Sequence, residues 1–371
     1  MKFSAFFSHV TISPALFNPL TIRDLEIPNR IWLAPMCQYS CFAGDGVPTD
    51  WHLVHLGARA TGGFGLVLSE AAAVTPDGRI SAQDAGIWND AQAGAWRRIT
   101  DFVHAQGATV GIQLAHAGRK ASVYSPFAKQ SGSVPAAEGG WTTVGPSPIA
   151  FDGFAEPVAL STDQIAGVVD AFANAARRAD AAGFDVVEIH AAHGYLLHQF
   201  LSPLSNERND SYGGSFDNRV RIVLEVAEAV RQAWPEGKPL FVRISATDWT
   251  DGGWTPADSG RLARLLGDRG VDLIDVSTGG NVQADIPVGP GYQVEFARSV
   301  HRESGIATAA VGLITQPDQA EKVAGDDDVT AVLLARAALR EPAWPLRAAY
   351  ELGVSHRDAP YPAQYTRGAW R

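Results

Sequence analysis

Phe184-Asp185-Val186-Val187-Glu188-Ile189-His190-Ala191-Ala192-His193-Gly194-Tyr195 is the stretch on which the reading of the fold turns. Residues 184–189 form a short, nearly continuous apolar run, the pattern of a parallel strand buried on both faces. A helical pattern over 161–182 precedes it, with Ser161 placed as an N-cap and Gly183 just past the helix end. His190, His193 and Tyr195 follow the run, where a strand would give way to a loop. Working outward, the same alternation recurs. Strand-like runs are expected at 30–34, 64–69, 109–114, 184–189, 240–244, 273–276, 307–311 and 329–334. Helical patterns follow them at 50–61, 90–106, 161–182 (before the fourth run), 216–234, 256–269, 292–304, 317–324 and 342–352, with Asp90 as a further N-cap and Gly107 and Gly270 as further stops. Eight β–α pairs in order predict an α/β protein of the closed (β/α)8, or TIM, barrel type. Periodicity does not show closure, so an open doubly wound sheet is the alternative.

Two connections are long. Residues 119–160 follow the third strand and are rich in Gly, Pro and Ser, which predicts a long insertion over the site. Residues 191–215 follow the fourth and carry His193 and Tyr195. With 371 residues, the chain fits one barrel domain over 16–371, behind an extension over 1–15 whose apolar run is broken by Ser4, Ser8 and His9 and is too short for a signal peptide. Hydrophobic residues make up 46% and charged residues 19%, ample for a core. A net charge of −10 without a basic run argues against a nucleic-acid partner, and no stretch reaches transmembrane length, so no membrane partner is expected. Cys37 and Cys41 are the only cysteines, which excludes a disulfide framework and fits a cytoplasmic enzyme.

Barrel enzymes work at the C-terminal ends of their strands. There the sequence places Cys37 and Tyr39, then Glu70 and Ala71, Gln113 and His116, His190, His193 and Tyr195, Arg243 and Ser245, Ser277 with Gly279 and Gly280, Gly312, and Arg336. Every strand end is polar or small. Gly312 permits close backbone approach and Arg336 offers a cationic fork after the seventh and eighth strands, where barrels commonly hold phosphate. A phosphate-bearing cofactor is the economical reading, and no dinucleotide fingerprint follows the first strand. His190 and His193 lack the further ligands zinc requires, so no metal is expected. They suit donation to a substrate oxygen, with Tyr195 as general acid; structural loop histidines are the alternative. Cys37 reads equally as a small core residue, Arg243 as half of a structural ion pair and Gln113 as a core amide.

Longer motifs add a resemblance. Ala34-Pro35-Met36-Cys37-Gln38-Tyr39, Gly111-Ile112-Gln113-Leu114-Ala115-His116-Ala117-Gly118-Arg119-Lys120, Glu188 to Leu196, Phe200-Leu201-Ser202-Pro203-Leu204-Ser205-Asn206, Asp210-Ser211-Tyr212-Gly213-Gly214, Val242-Arg243-Ile244-Ser245 and Ala310-Val311-Gly312-Leu313 stand in that order. From Leu16 to about Trp370 the chain resembles the Old Yellow Enzyme family of FMN-dependent ene-reductases, in its thermophilic-like branch with the bacterial xenobiotic reductases. The resemblance implies bound FMN reduced by NADPH or NADH, and hydride transfer from flavin N5 to the β-carbon of α,β-unsaturated carbonyl or nitro compounds in a ping-pong sequence. It implies that Ala34, Pro35, Met36, Cys37, Ala71, Gln113, Arg243, Gly312, Ala335 and Arg336 hold the cofactor, with Cys37 also tuning it. It gives substrate contacts to Tyr39, His190 and His193, and the proton to Tyr195. It also implies a homo-oligomer, dimer or tetramer, in which Arg367, near the C-terminal segment 361–371, reaches a neighbouring subunit's site. Two departures stand out: Ala335 where many relatives carry Gly, and a longer loop over 121–151. A flavin enzyme that removes nitrite from nitro compounds or nitrate esters is the alternative within the fold. Outside it stand a metal-dependent barrel hydrolase and a non-catalytic binding barrel.

Overall fold

A computed structural model describes residues 13–371; most of the expected N-terminal extension, 1–12, lies outside the described residues. Eight parallel strands close into a barrel. They are β1 (Ile31–Leu33), β2 (Leu66–Ala73), β3 (Thr109–Ala115), β4 (Val186–Ala191), β5 (Leu240–Ser245), β6 (Leu273–Ser277), β7 (Ala307–Ala310) and β8 (Ala331–Leu334). Closure is explicit in the pairing of Trp32 with Leu333, which joins β1 to β8. The open-sheet alternative is thereby excluded. Around the barrel lie α1 (Asp50–Thr61), α2 (Asp90–Ala105), α3 (Thr162–Ala181), α4 (Arg221–Ala233), α5 (Pro256–Gly267), α6 (Val294–Ser304), α7 (Pro317–Ala324) and α8 (Trp344–Glu351).

Local chemistry explains the element boundaries. Thr49, Asn89, Ser161 and Thr255 each cap a helix and form reciprocal capping boxes with the third helical residue. Asn89, not the expected Asp90, is therefore the cap of α2, and Asp90 is its first residue, where a carboxylate favours the helix dipole. The helix expected over 216–234 is two pieces, Phe216–Arg219 and α4, joined at Val220, which keeps nearly helical angles. The helices begin and end within a few residues of the expected positions. The strands differ more usefully. β2 runs to Ala73, past the polar Ser69 and Glu70 that ended the expected run, and its register against β3 shifts between Leu68 and Ala71. Such a bulge re-aims the side chains it carries. β4 extends through His190, so that histidine is a strand residue.

Two layers of apolar side chains fill the molecule. One joins the strands to the helices and includes Trp96, Phe172, Phe184 and Leu262. The other fills the barrel interior, where Trp32 stacks on Phe241 at 5.7 Å. An antiparallel hairpin, Leu20–Ile22 with Leu25–Ile27, precedes β1 and packs Ile27 into this interior. It closes the N-terminal end of the barrel. The connection after β3 carries short 3-10 turns and a two-residue parallel pairing of Val144–Gly145 with Val158–Ala159. No helix among the described residues is long and apolar enough to cross a membrane.

Candidate active site

The C-terminal mouth of the barrel holds a cleft lined by Arg243 from β5, Ser277 from β6, Gly312 after β7, and Ala335 and Arg336 after β8. Tyr292 and Gln293, just before α6, form its wall. Gln293 was not expected from sequence. Its carbonyl oxygen accepts from Thr278 Oγ1 at 2.7 Å and its Nε2 donates to Val311 O at 3.0 Å, which ties the β6 and β7 ends together. Gly312 has φ +124, and a Cβ there would fall 2.9 Å from Gln293 Nε2. Only glycine gives this wall its shape. Arg243 faces Asp275 Oδ2 at 3.1 Å, yet its Nε makes no aligned hydrogen bond. Both readings of Arg243 are thus present: it pairs with a carboxylate and also lines the cleft.

Beside the cleft the structure gathers His190, His193 and Tyr195. The His190 ring stands 5.1 Å from each of the other two, edge to face. Burial, reinforced by the Arg243 charge, holds both imidazoles well below their ordinary pKa, so both are neutral. His190 Nδ1 accepts from the Ala192 N–H at 3.3 Å, which leaves its proton on Nε2. His193 Nε2 contacts Ser277 Oγ at 2.8 Å, and its backbone N–H donates to Ser245 Oγ at 2.9 Å. Burial raises the Tyr195 phenol well above its ordinary pKa, with further contributions from Cys37 and Tyr39. It holds its proton until a stronger base draws it.

Backbone strain pins this group. His193 sits at φ +58 and Tyr39 at φ +54, both left-handed. Gly194 crosses the loop after β6 so closely that a Cβ would fall 2.2 Å from Gly280 O. Lys120 locks the crossing by donating to His193 O at 2.9 Å and Gly280 O at 2.7 Å, while its ammonium lies over the Tyr195 ring at 5.5 Å. Burial and Arg119 lower the Lys120 pKa to about 8.

The remaining expected residues fall on the neighbouring strand ends. Ala34 follows β1 and donates its N–H to Leu334 O at 3.0 Å; Pro35, Met36 and Cys37 continue from it. Burial, then the Asp84 and Glu70 carboxylates, push the Cys37 thiol up, so it is a neutral group; burial, then Cys37, raise the Tyr39 phenol as well. Behind this loop Glu70 accepts the Gln38 N–H at 3.0 Å and faces His52 Nε2 at 2.9 Å. The β2 bulge turns Ala71 toward a small pocket that Tyr195 also lines. Gln113 is buried and donates to Glu188 Oε1 at 2.8 Å. Arg336 opens a short helix, Arg336–Arg340. Arg367 lies apart. Its turn, Ala363–Gly368, is exposed, and the tail leading to it packs Pro360 against Gly63, just before β2 and away from the mouth of its own barrel. Among the described residues no three His, Cys, Asp or Glu side chains converge as a metal site would require.

Residues 15–354 match the family model described as the NADH:flavin oxidoreductase / NADH oxidase family. The chain belongs to that family. It is 47% identical to an NADPH dehydrogenase of Bacillus velezensis over 96% of this chain and 99% of the relative. Among solved structures, morphinone reductase in complex with tetrahydroNAD aligns with a TM-score of 0.75 at 29% identity, covering 92% of each chain. The old yellow enzyme homologue of Zymomonas mobilis aligns with a TM-score of 0.75 at 26% identity, covering 94% of this chain and 99% of that one. This Old Yellow Enzyme-like protein is an FMN-dependent NAD(P)H oxidoreductase. The site fits the cofactor. Two guanidinium groups, one with an unaligned Nε, meet a glycine-shaped wall in a cleft at the strand ends, as a phosphorylated planar ligand requires.

Proposed function

We propose that this oxidoreductase is an ene-reductase acting on alkenes conjugated to a carbonyl or nitro group. The observation that carries the reading is the convergence of two neutral imidazoles and a protonated phenol beside the cleft. FMN, when bound, takes hydride from NADPH or NADH and delivers it to the β-carbon of the alkene. Ala34, Pro35, Met36, Cys37, Ala71, Gln113, Arg243, Gly312, Ala335 and Arg336 would hold it. Arg243 and Arg336 supply the positive charge for its anionic groups. Ala335 keeps the backbone N–H that glycine would offer.

The remaining work belongs to the chain. His190, with its proton on Nε2, donates to the activating oxygen of the substrate. His193 donates beside it from Nδ1 once the Ser277 proton turns from Gln293 Oε1 to the His193 Nε2. Together they stabilise the charge that builds on that oxygen as the β-carbon is reduced. Tyr195 passes its phenolic proton to the α-carbon. Tyr39 contacts the substrate from the β1 side, and the neutral Cys37 thiol tunes the cofactor. Nicotinamide and alkene use the same mouth in turn, which makes the kinetics ping-pong. The domain runs from 16 to 371, and subunits assemble so that Arg367 enters a neighbour's site.

The test is anaerobic and uses the FMN-loaded enzyme. NADPH or NADH should bleach the flavin, and cyclohexenone or a nitroalkene should restore its colour with formation of the saturated product. Bleaching without reoxidation by any conjugated alkene would overturn the ene-reductase reading and leave the family assignment standing.

A further inference from the structure

Beneath the cleft, four buried polar side chains from successive strands meet: Gln113 of β3, Glu188 of β4, Arg243 of β5 and Asp275 of β6. Gln113 donates to Glu188 Oε1 at 2.8 Å, and Arg243 Nε stands 3.1 Å from Asp275 Oδ2. Glu188 and Asp275 stand on the strands on either side of the Arg243 strand, buried in the same dry site, and each bears on the other's titration. Treated as ionised, they leave Glu188 Oε2 and both Asp275 oxygens without a hydrogen-bond donor. Three such acceptors in a dry site are costly. So is a net negative charge made by two carboxylates against one guanidinium. A single proton between the carboxyls eases both problems: it joins Glu188 Oε2 to one Asp275 oxygen, leaves Asp275 Oδ2 facing the Arg243 guanidinium, and makes the cluster neutral.

We infer that Glu188 and Asp275 share one proton, so that Arg243 keeps a single buried countercharge and its field toward the cofactor is set by this acid pair. Burial, then the Asp275 charge, push the Glu188 carboxyl up to about 8, and burial raises Asp275 as well. The other titratable groups around Arg243 do not supply the charge balance. His190 and His193 on the β4 side are neutral, and Tyr292 and Arg336 face Arg243 across the cleft from the α6 and β8 sides. Glu188 and Asp275 are positioning residues that act through Arg243. The shared proton is argued from the chain alone, and its effect on the cofactor rests on the FMN site proposed above.

The test combines infrared spectroscopy with potentiometry on the flavin-loaded enzyme. The wild type should show a protonated-carboxyl C=O band. Glu188→Gln should abolish it by replacing the acid with a neutral isostere. Asp275→Asn should abolish it too, because Glu188 then ionises against the new amide. Each single variant keeps one negative charge, so the flavin midpoint potential at neutral pH should stay at the wild-type value. The double variant Glu188→Gln/Asp275→Asn loses the last countercharge and should raise the potential. Above about pH 8 the wild-type potential should fall relative to Glu188→Gln, which has no proton there to lose. A wild type without the band, with each single variant raising the potential, would show both acids ionised and overturn the shared proton. The band present but the potential unmoved in the double variant would overturn the tuning role alone. If the double variant does not fold, the single variants and the pH dependence of the wild type still decide the matter.

Discussion

Tyr195 was expected at a strand end from sequence, but its surroundings came only with the fold. Replacing Tyr195 with Phe leaves the packing against His190 intact and removes one hydroxyl. The alkene half-reaction should slow by roughly 100-fold or more, the scale of a lost general acid. Reduction of the flavin by NADPH should stay near the wild-type rate. Stopped-flow measurement of the two half-reactions checks this, and equal losses in both would remove Tyr195 from the proton-donor role. The same residue scale shows where reading stopped. His190-x-x-His193-x-Tyr195 was legible as a polar group after a buried strand. Which nitrogen of His190 bears the proton was not, because the Ala192 N–H decides it through a turn that spacing does not reveal. Ser277 was visible as a strand end, yet its contact with His193 spans 84 residues of chain. Gln293 gave no signal at all, since a glutamine before a helix is ordinary.

At the scale of elements, the alternation of strand and helix was readable because each strand is buried on both faces and each helix is amphipathic. Polar residues misled where an element continues through them. Ser69 and Glu70 ended the expected second strand, whereas β2 runs on by using its bulge to turn Glu70 toward Gln38 and Ala71 toward the Tyr195 pocket. The hairpin before β1 was missed because its strands are three residues each, too short for a periodic signal. Its importance lies in packing. Ile27 is fully buried in the barrel interior with Trp32 and Phe241. Ile27→Ala should cost about 2–4 kcal/mol of stability, the usual range for a buried truncation. Urea unfolding of the enzyme checks this. Because the hairpin lies at the end opposite the cleft, the alkene rate of the folded variant should be unchanged.

The whole molecule raises the question of assembly. Arg367 stands on an exposed turn whose tail packs at the far end of its own barrel, so the proposed role in an active site requires a neighbouring subunit. Arg367→Ala should raise KM for the alkene several-fold with little change in flavin reduction by NADPH. Unchanged constants would leave Arg367 a solvated tail residue. Sequence by itself determined the eightfold β–α alternation, the row of polar and small strand ends and the grouping of His190, His193 and Tyr195, because these follow from local periodicity and from the rule that barrel chemistry sits at strand C-termini, while closure came from the structure. Only the tertiary structure decided which strand ends face one another. Parallel pairing puts Gln113 beside Glu188, and Arg243 beside Asp275 and His190, across separations of 32 to 75 residues. The charge balance beneath the cofactor site, the protonation of the histidines and the closed barrel floor all come from such pairings, which burial in a dry interior makes consequential and which no stretch of sequence contains.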